Sequence, residues 1–348
     1  MRIDRFGTLA LFAVVGAGIA LAIPAHAASR EEVQQRAKQL FGVLPAEAPS
    51  SENPITPEKI ELGRRLFYEP RISISRKLSC NSCHGLTTFG VDNEATSVGH
   101  DGQRGARNSP TVYNAALHFA QFWDGRAPTV EEQAKGPVLN PIEMGMPSAD
   151  VVDEIITGIP GYGPLFVAAF PGQDDPITYD NFAKAIGAFE RRLVTPSRFD
   201  AFLGGQTDAL SDAEVAGLAT FMDTGCPTCH MTATVGGQMY QKLGLVHPFE
   251  TKDLGRYDVT KQDADKYFFK VPSLRNVEKT GPWFHDGSVT TLSQAIELMG
   301  WHQLGKKLEP ADVQSIETFL KTLTGTPDPE YIAEPELLPE APAAAPKG

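Results

Sequence analysis

The sequence predicts a mainly α-helical chain built from two like modules and wrapped by long loops. Three observations carry that reading. Apolar residues recur at helical spacing while strand alternation does not recur: Phe182, Ile186, Phe189 and Leu193 share one helical face, as do Val313, Ile316, Leu320 and Leu323. A Cys-x-x-Cys-His unit occurs twice, at Cys80, Cys83, His84 and at Cys226, Cys229, His230, 146 residues apart. Between the helical stretches run Gly/Pro/Asn-rich segments, notably 86–128 and 231–283, which are longer than ordinary connections and point to loops with a task.

Taken in chain order, residues 1–27 combine Arg2 and Arg5, an apolar run from Thr8 to Ala22 and the small-x-small site Ala25-His26-Ala27. That is the pattern of a secretory signal peptide. Helix starts follow. Thr56-Pro57 is a cap with proline in the first turn, and Thr129 with Glu132, Ser211 with Glu214 and Thr291 with Gln294 have capping-box spacing. The repeat places a module boundary near 195–205, so residues 28–195 form a first module and 196–325 a second. Residues 326–348, rich in Pro, Ala and Glu, read as a mobile tail or an arm laid on a neighbouring molecule.

All 4 cysteines of the 348-residue chain belong to the two Cys-x-x-Cys-His units. Disulfides or a zinc site would use the cysteines but leave unexplained a histidine after each pair. Covalent attachment of a c-type haem explains it: both sulfurs bond the porphyrin and the histidine meets the iron. The modules are therefore expected to be two cytochrome-c-like haem domains holding two covalent haem c groups, with long loops closing over a core that the cofactor itself helps to fill. The formal charge is −12, and about −13 without the leader, whose two arginines and one aspartate add +1. An acidic surface argues against nucleic acid or anionic lipid as partner.

Each haem needs a second axial ligand. For the second module Met299, 69 residues after His230 in TLSQAIELMG, is the first choice, with Met222 and Met239 as competitors and Met231 too close to His230. A His/Met haem has a raised potential and no open face, so it stores an electron. For the first module spacing alone favours Met144 or Met146, which would make the protein a carrier with two closed haems. His100, in the glycine-flanked loop TSVGHDGQRG, is the alternative, on a segment that its Gly99 and Gly102 allow to move.

The runs SCNSCH, TSVGH, RNSPTVYNA, QFWDGR, EEQAKGPVLNPIEM, SLRNV, GPWFHDG and LMG occur in this order across the mature chain, which in them resembles the bacterial di-haem cytochrome c peroxidases. The resemblance implies a periplasmic enzyme, often a homodimer, that reduces hydrogen peroxide to water with electrons from a small redox protein, a cytochrome c or a blue copper protein (cupredoxin). It implies that His84 is the proximal ligand of the peroxidatic haem and His100 a distal ligand released on activation. Gln133 and Glu143 correspond to the distal pair, His230 and Met299 to the ligands of the electron-transferring haem, and Trp123 to a tryptophan between the haems. Asn108, Thr280 and Pro282 correspond to the ligands of a calcium ion at the module junction; no local acidic motif proposes that ion. A related class that matures methylamine dehydrogenase has tyrosine where this chain has Met299.

The chemistry suits these residues. Splitting peroxide heterolytically needs one group that accepts a proton and returns it, which Glu143 can do if an apolar pocket raises its pKa. Gln133 cannot titrate and could orient the peroxide. Arg107 and Arg126 are expected to pair with haem carboxylates. The competing readings are a di-haem electron carrier without peroxide turnover and a peroxide-driven enzyme that modifies a protein.

Overall fold

The computed structural model describes residues 28–340. The expected signal peptide and residues 341–348 lie outside the described residues. Twelve helices are described: α1 (Arg30–Leu40), α2 (Pro57–Phe67), α3 (Cys80–Cys83), α4 (Val130–Leu139), α5 (Ala149–Thr157), α6 (Tyr162–Ala169), α7 (Tyr179–Glu190), α8 (Arg198–Leu203), α9 (Asp212–Thr224), α10 (Tyr257–Thr260), α11 (Leu292–Leu304) and α12 (Pro310–Leu320). The expected starts are present. Thr56 caps α2 by accepting from the Lys59 N–H, with Pro57 at the first position. Ser211 and Glu214 cap α9 reciprocally, and the Thr129 and Thr291 hydroxyls accept from the third residue of α4 and α11. One feature escaped the pattern: β1 (Tyr240–Lys242) pairs antiparallel with β2 (Phe268–Lys270), Tyr240 opposite Lys270. Strands of three residues are too short for alternation to register.

The apolar residues gather into two clusters. In the first, α2 packs on α7 through Leu62, Leu66, Phe67, Phe182, Ile186 and Phe189. The helices touch backbone to side: a Cβ on Gly63 would lie 1.9 Å from the Ala185 carbonyl oxygen. In the second, α9 packs on α12 through Leu218, Phe221, Ile316 and Phe319. Each fully buried Leu or Phe here contributes about 1.5–3 kcal/mol.

The chain termini cross between the clusters. Val33, Ala37 and Phe41 of α1 belong to the second cluster, with the Phe41 ring 5.5 Å from Phe199 and the Gln34 amide donating to Phe202 O at 2.6 Å. Within the stretch 28–195, the apolar face of α1 thus finds its match on α8 and α9. Residues 326–340, expected as a mobile tail or an arm on a neighbouring molecule, lie on the first cluster of their own chain. Tyr331 stacks on Phe189 at 5.1 Å, and Ile332 is buried in that cluster. Tyr68 donates its hydroxyl to Ile332 O at 2.6 Å, while Arg64, Arg65 and Arg71 donate to the carbonyls of Ala333, Glu336 and Leu338. Average composition hid the few apolar residues, Tyr331, Ile332 and Leu338, that anchor the strap. Among the described residues no helix is long and apolar enough to cross a membrane.

Candidate active site

Each Cys-x-x-Cys-His unit opens onto its own cleft. The four cysteines are free thiols. The first cleft, about 960 Å³, is lined by Cys80, Cys83 and His84. These sit on α3 and the residue after it, where the His84 N–H bonds the Cys80 carbonyl at 2.9 Å. The second, about 240 Å³, is lined by Cys226, Cys229 and His230. Both histidines are held alike. His84 Nδ1 lies 3.3 Å from Gly90 O and His230 Nδ1 lies 3.4 Å from Val235 O. A carbonyl beside Nδ1 keeps the ring proton there and leaves the Nε2 lone pair for a metal. Burial pushes the pKa of both rings down, that of His230 to about 4, against a smaller upward pull from the carbonyls. The imidazoles are therefore neutral, the form a metal takes.

Met299 lines the second cleft among Leu292, Ile296, Ile316 and Leu320. Of its competitors, Met222 packs in the second apolar cluster, Met231 is exposed, and neither they nor Met239 line the cleft. In the first module Met144 and Met146 are buried core residues, Met144 at the edge of the cleft.

Part of the wall of the first cleft is built by α4 and the turn after it. Gln133, Ala134, Pro137 and Val138 line it, being one face of α4. Glu143 follows, its N–H bonded to Asn140 O at 3.0 Å and its carboxylate accepting from the Asn140 amide at 2.8 Å. Burial raises the Glu143 pKa; nearby Arg126 and the Asn140 bond pull it partly back. A carboxyl whose pKa burial raises is better placed to take and return a proton than an exposed one.

His100 is not brought to the cleft. Its ring is half-buried outside, Nε2 2.9 Å from Pro141 O, and its backbone N–H bonds Glu143 O at 2.9 Å. Its flanking glycines differ in purpose. A Cβ on Gly99 would lie 1.5 Å from Ile142 O, so that glycine allows close approach to the Glu143 turn, whereas Gly102 takes φ +87° in open space.

Trp123 lines both clefts and donates its Nε1–H to Asn108 O at 2.9 Å. Asn108 also lines both, and Thr280 and Pro282 line the second. The two arginines are already engaged. Arg107 bonds Asp124 at 2.5 Å and Asp253 at 2.6 and 2.7 Å, while Arg126 bonds Asp124 at 2.9 Å and covers the Phe122 ring. Three groups at the clefts escaped the sequence reading: His118, Lys270 and Glu190. A lysine inside the apolar run YFFKVP, and a glutamate four residues after Ile186 on the apolar face of α7, were the readable signals. Burial pushes Glu190 up to about 8, so it carries a proton at neutral pH.

The di-haem cytochrome c peroxidase family profile matches residues 57–208. A cytochrome c551 peroxidase of Pseudomonas aeruginosa is 44% identical over 92% of this chain and 93% of its own length. The chain belongs to the di-haem cytochrome c peroxidases. A second cytochrome c551 peroxidase, from Nitrosomonas europaea, is 46% identical over 82% of this chain and 86% of its own. Among solved structures, a MauG-like protein associated with microbial copper homeostasis aligns with TM-score 0.74 and 29% identity, covering 84% of this chain and 96% of the other. This peroxidase is thus an enzyme, which sets aside the bare electron carrier. Family membership brings haem cofactors, and the residues present fit them: paired free thiols, a neutral buried imidazole beside each pair, and a cleft in front of each.

Proposed function

We propose that this peroxidase reduces hydrogen peroxide to water in the periplasm, drawing electrons from a small cytochrome c or cupredoxin. Cys80 and Cys83 attach one haem c and Cys226 and Cys229 the other. His84 holds the iron where peroxide reacts; His230 and Met299 hold the one that receives electrons. When bound, the haems supply the iron that takes peroxide and the stored electron that completes its reduction.

The observation that carries this reading is the facing of Glu143 and Gln133 onto the same cleft as Cys80, Cys83 and His84. Glu143 takes the proton from the near peroxide oxygen and returns it to the far one, so the bond breaks with a neutral leaving group. Gln133, whose side-chain amide makes no hydrogen bond within the described chain, is available to hold the peroxide in position. Trp123, shared by both clefts, mediates electron passage. His100 is the distal ligand of the resting enzyme, and the bond from its ring to Pro141 O supports a loop position that keeps it clear of the cleft. Asn108 Oδ1 with the carbonyls of Thr280 and Pro282 suits calcium, a hard cation that favours oxygen donors; their shared place on the second cleft supports that assignment. A homodimer is the expected assembly.

Steady-state peroxide consumption with reduced cytochrome c tests the reading. Turnover by the half-reduced enzyme with calcium present is the expected result. No turnover under those conditions overturns it. On adding one electron, the first haem should pass from six- to five-coordinate by spectroscopy; if it stays six-coordinate, the release of His100 is wrong. Chelating calcium should slow that release.

A further inference from the structure

Four arginine or lysine side chains are buried among the described residues: Arg71, Arg191, Lys270 and Arg275. Three meet a carboxylate, Glu69 at 2.6 Å, Glu131 at 2.7 Å and Asp200 at 2.5 Å. Lys270 meets none among the described residues. Its ammonium bonds a single side chain, His118, with Nζ 3.2 Å from Nδ1. An ammonium only donates, so Nδ1 accepts and the ring proton sits on Nε2. That Nε2–H is shielded from solvent and has no acceptor in the described chain. A cation and a donor are thus withdrawn together from water: Lys270 has a neutral acceptor but no anion, and the His118 Nε2–H has no acceptor. Burying a charge without a counter-charge is strongly destabilising, so a built arrangement of this kind calls for an anion.

The position says which anion. Lys270 and His118 each line both clefts, together with Trp123 and the 108–111 segment. They form the seam between the two haem sites. The seam is fixed by backbone: β1 pairs with β2, and the Lys270 N–H bonds Trp123 O at 2.7 Å. The other cations at the first cleft are paired or exposed. Arg107 and Arg126 share Asp124, and Lys252 is exposed to solvent. Burial lowers Lys270 to about 8 and His118 well below its ordinary value, as expected of groups with no protein anion beside them.

We propose that Lys270 binds a haem propionate carboxylate at the seam between the two clefts, with neutral His118 as the positioning residue that orients its ammonium. The inference rests on the di-haem reading above. A fixed cation beside that haem favours the reduced state and raises its midpoint potential. It also ties the charge of the carboxylate to β2, whose Lys270 N–H bonds the Trp123 carbonyl.

The test is spectroelectrochemical titration of both haems in the holoenzyme from pH 5.5 to 8.5, for wild type, Lys270→Met and Lys270→Arg. In Lys270→Met one haem is expected to show a lowered potential that climbs back as pH falls, because the orphaned carboxylate then takes a proton. Lys270→Arg restores the wild-type potential and slope, and the other haem is unmoved throughout. His118→Leu, which removes the acceptor that aims the ammonium, gives a smaller shift of the same haem, and His118→Gln reverses it. A Lys270→Met enzyme that binds two haems with both potentials and slopes unchanged overturns the proposal. If that variant fails to bind two haems, a crystal structure of the wild-type holoenzyme decides: a haem carboxylate oxygen within about 4 Å of Nζ upholds it, and a greater distance overturns it. Absence of peroxide turnover in the wild type bears on the function alone, since this contact can be read without it.

Discussion

The two clefts share a plan and differ in what surrounds it. Each presents two thiols, then a histidine held by a carbonyl five or six residues on. Both modules also carry deeply buried arginine–carboxylate pairs, Arg71 with Glu69 and Arg191 with Glu131 in the first and Arg275 with Asp200 in the second. Yet the first cleft is about 960 Å³ and is lined by five carboxylates, Asp124, Glu143, Glu190, Asp253 and Asp258. The second is about 240 Å³ with no carboxylate in its lining and a thioether instead. Handling peroxide needs room and exchangeable protons. Storing an electron is served by a smaller, apolar-lined site with a soft ligand. The duplicated framework therefore sets where a haem sits, and the second wall sets what it does.

That contrast can be broken at its strongest point by Glu143→Gln, which keeps the shape and removes the base. Peroxide turnover should fall by about 10²–10⁴-fold with the second cleft untouched, measured by stopped-flow peroxide decay. In the wild type the acid limb of the rate should lie above the ordinary carboxylate range, because burial raises the Glu143 pKa and the base is lost as pH falls through it. Met299→His attacks the other side. The potential of the second haem should drop by a substantial part of the roughly 0.8 V that axial ligands span, and turnover with a cytochrome donor should drop with it. An unchanged potential removes Met299 as ligand.

Smaller effects probe the framework. Arg191→Met strands Glu131 in the core and should cost about 3–5 kcal/mol, read as a lowered denaturation midpoint. Glu190→Gln should act mildly and with a sign set by pH. The folded pKa, about 8, lies above the unfolded value of 4.5, so the native state holds a proton the unfolded chain has lost. Stability is therefore full below pH 4.5 and declines as pH rises towards 8. The amide should stabilise by about 1–3 kcal/mol at pH 8 and change little at pH 4, by urea melts at both values.

How much of this was readable from residues follows the distance over which each interaction acts. The thiol–histidine units, the caps of α2, α4, α9 and α11 and the apolar faces of α7 and α12 are local, and local chemistry carries them. Pairings across the chain are not local. Lys270 meets His118 from 152 residues away, and Arg275 meets Asp200 from 75; no spacing rule reaches that far. Spacing also pointed to Met144 and Met146, which are buried in the first apolar cluster, Met144 at the edge of the first cleft. Among the described residues, nine of the eleven non-glycine residues with positive φ fall in the segments 86–128 and 231–283. Thr232 and Val235, which are β-branched, pay in backbone strain for the turn that brings a carbonyl to His230, and composition does not foretell such turns.

The crossing of the termini bears on how the protein comes into being. During synthesis the first cluster has α2 and α7 long before it has Tyr331 and Ile332, and α1 emerges well ahead of the α9 and α12 surfaces it covers. Neither half can seal while the chain is incomplete, although domains ordinarily fold in the order they are made. The first half keeps an unsealed flank until residues 326–340 have appeared. The window for bringing haem to Cys80 and Cys83 thus stays open until the second half has been made, and a chain truncated before the strap would display its fault as an uncovered Phe189.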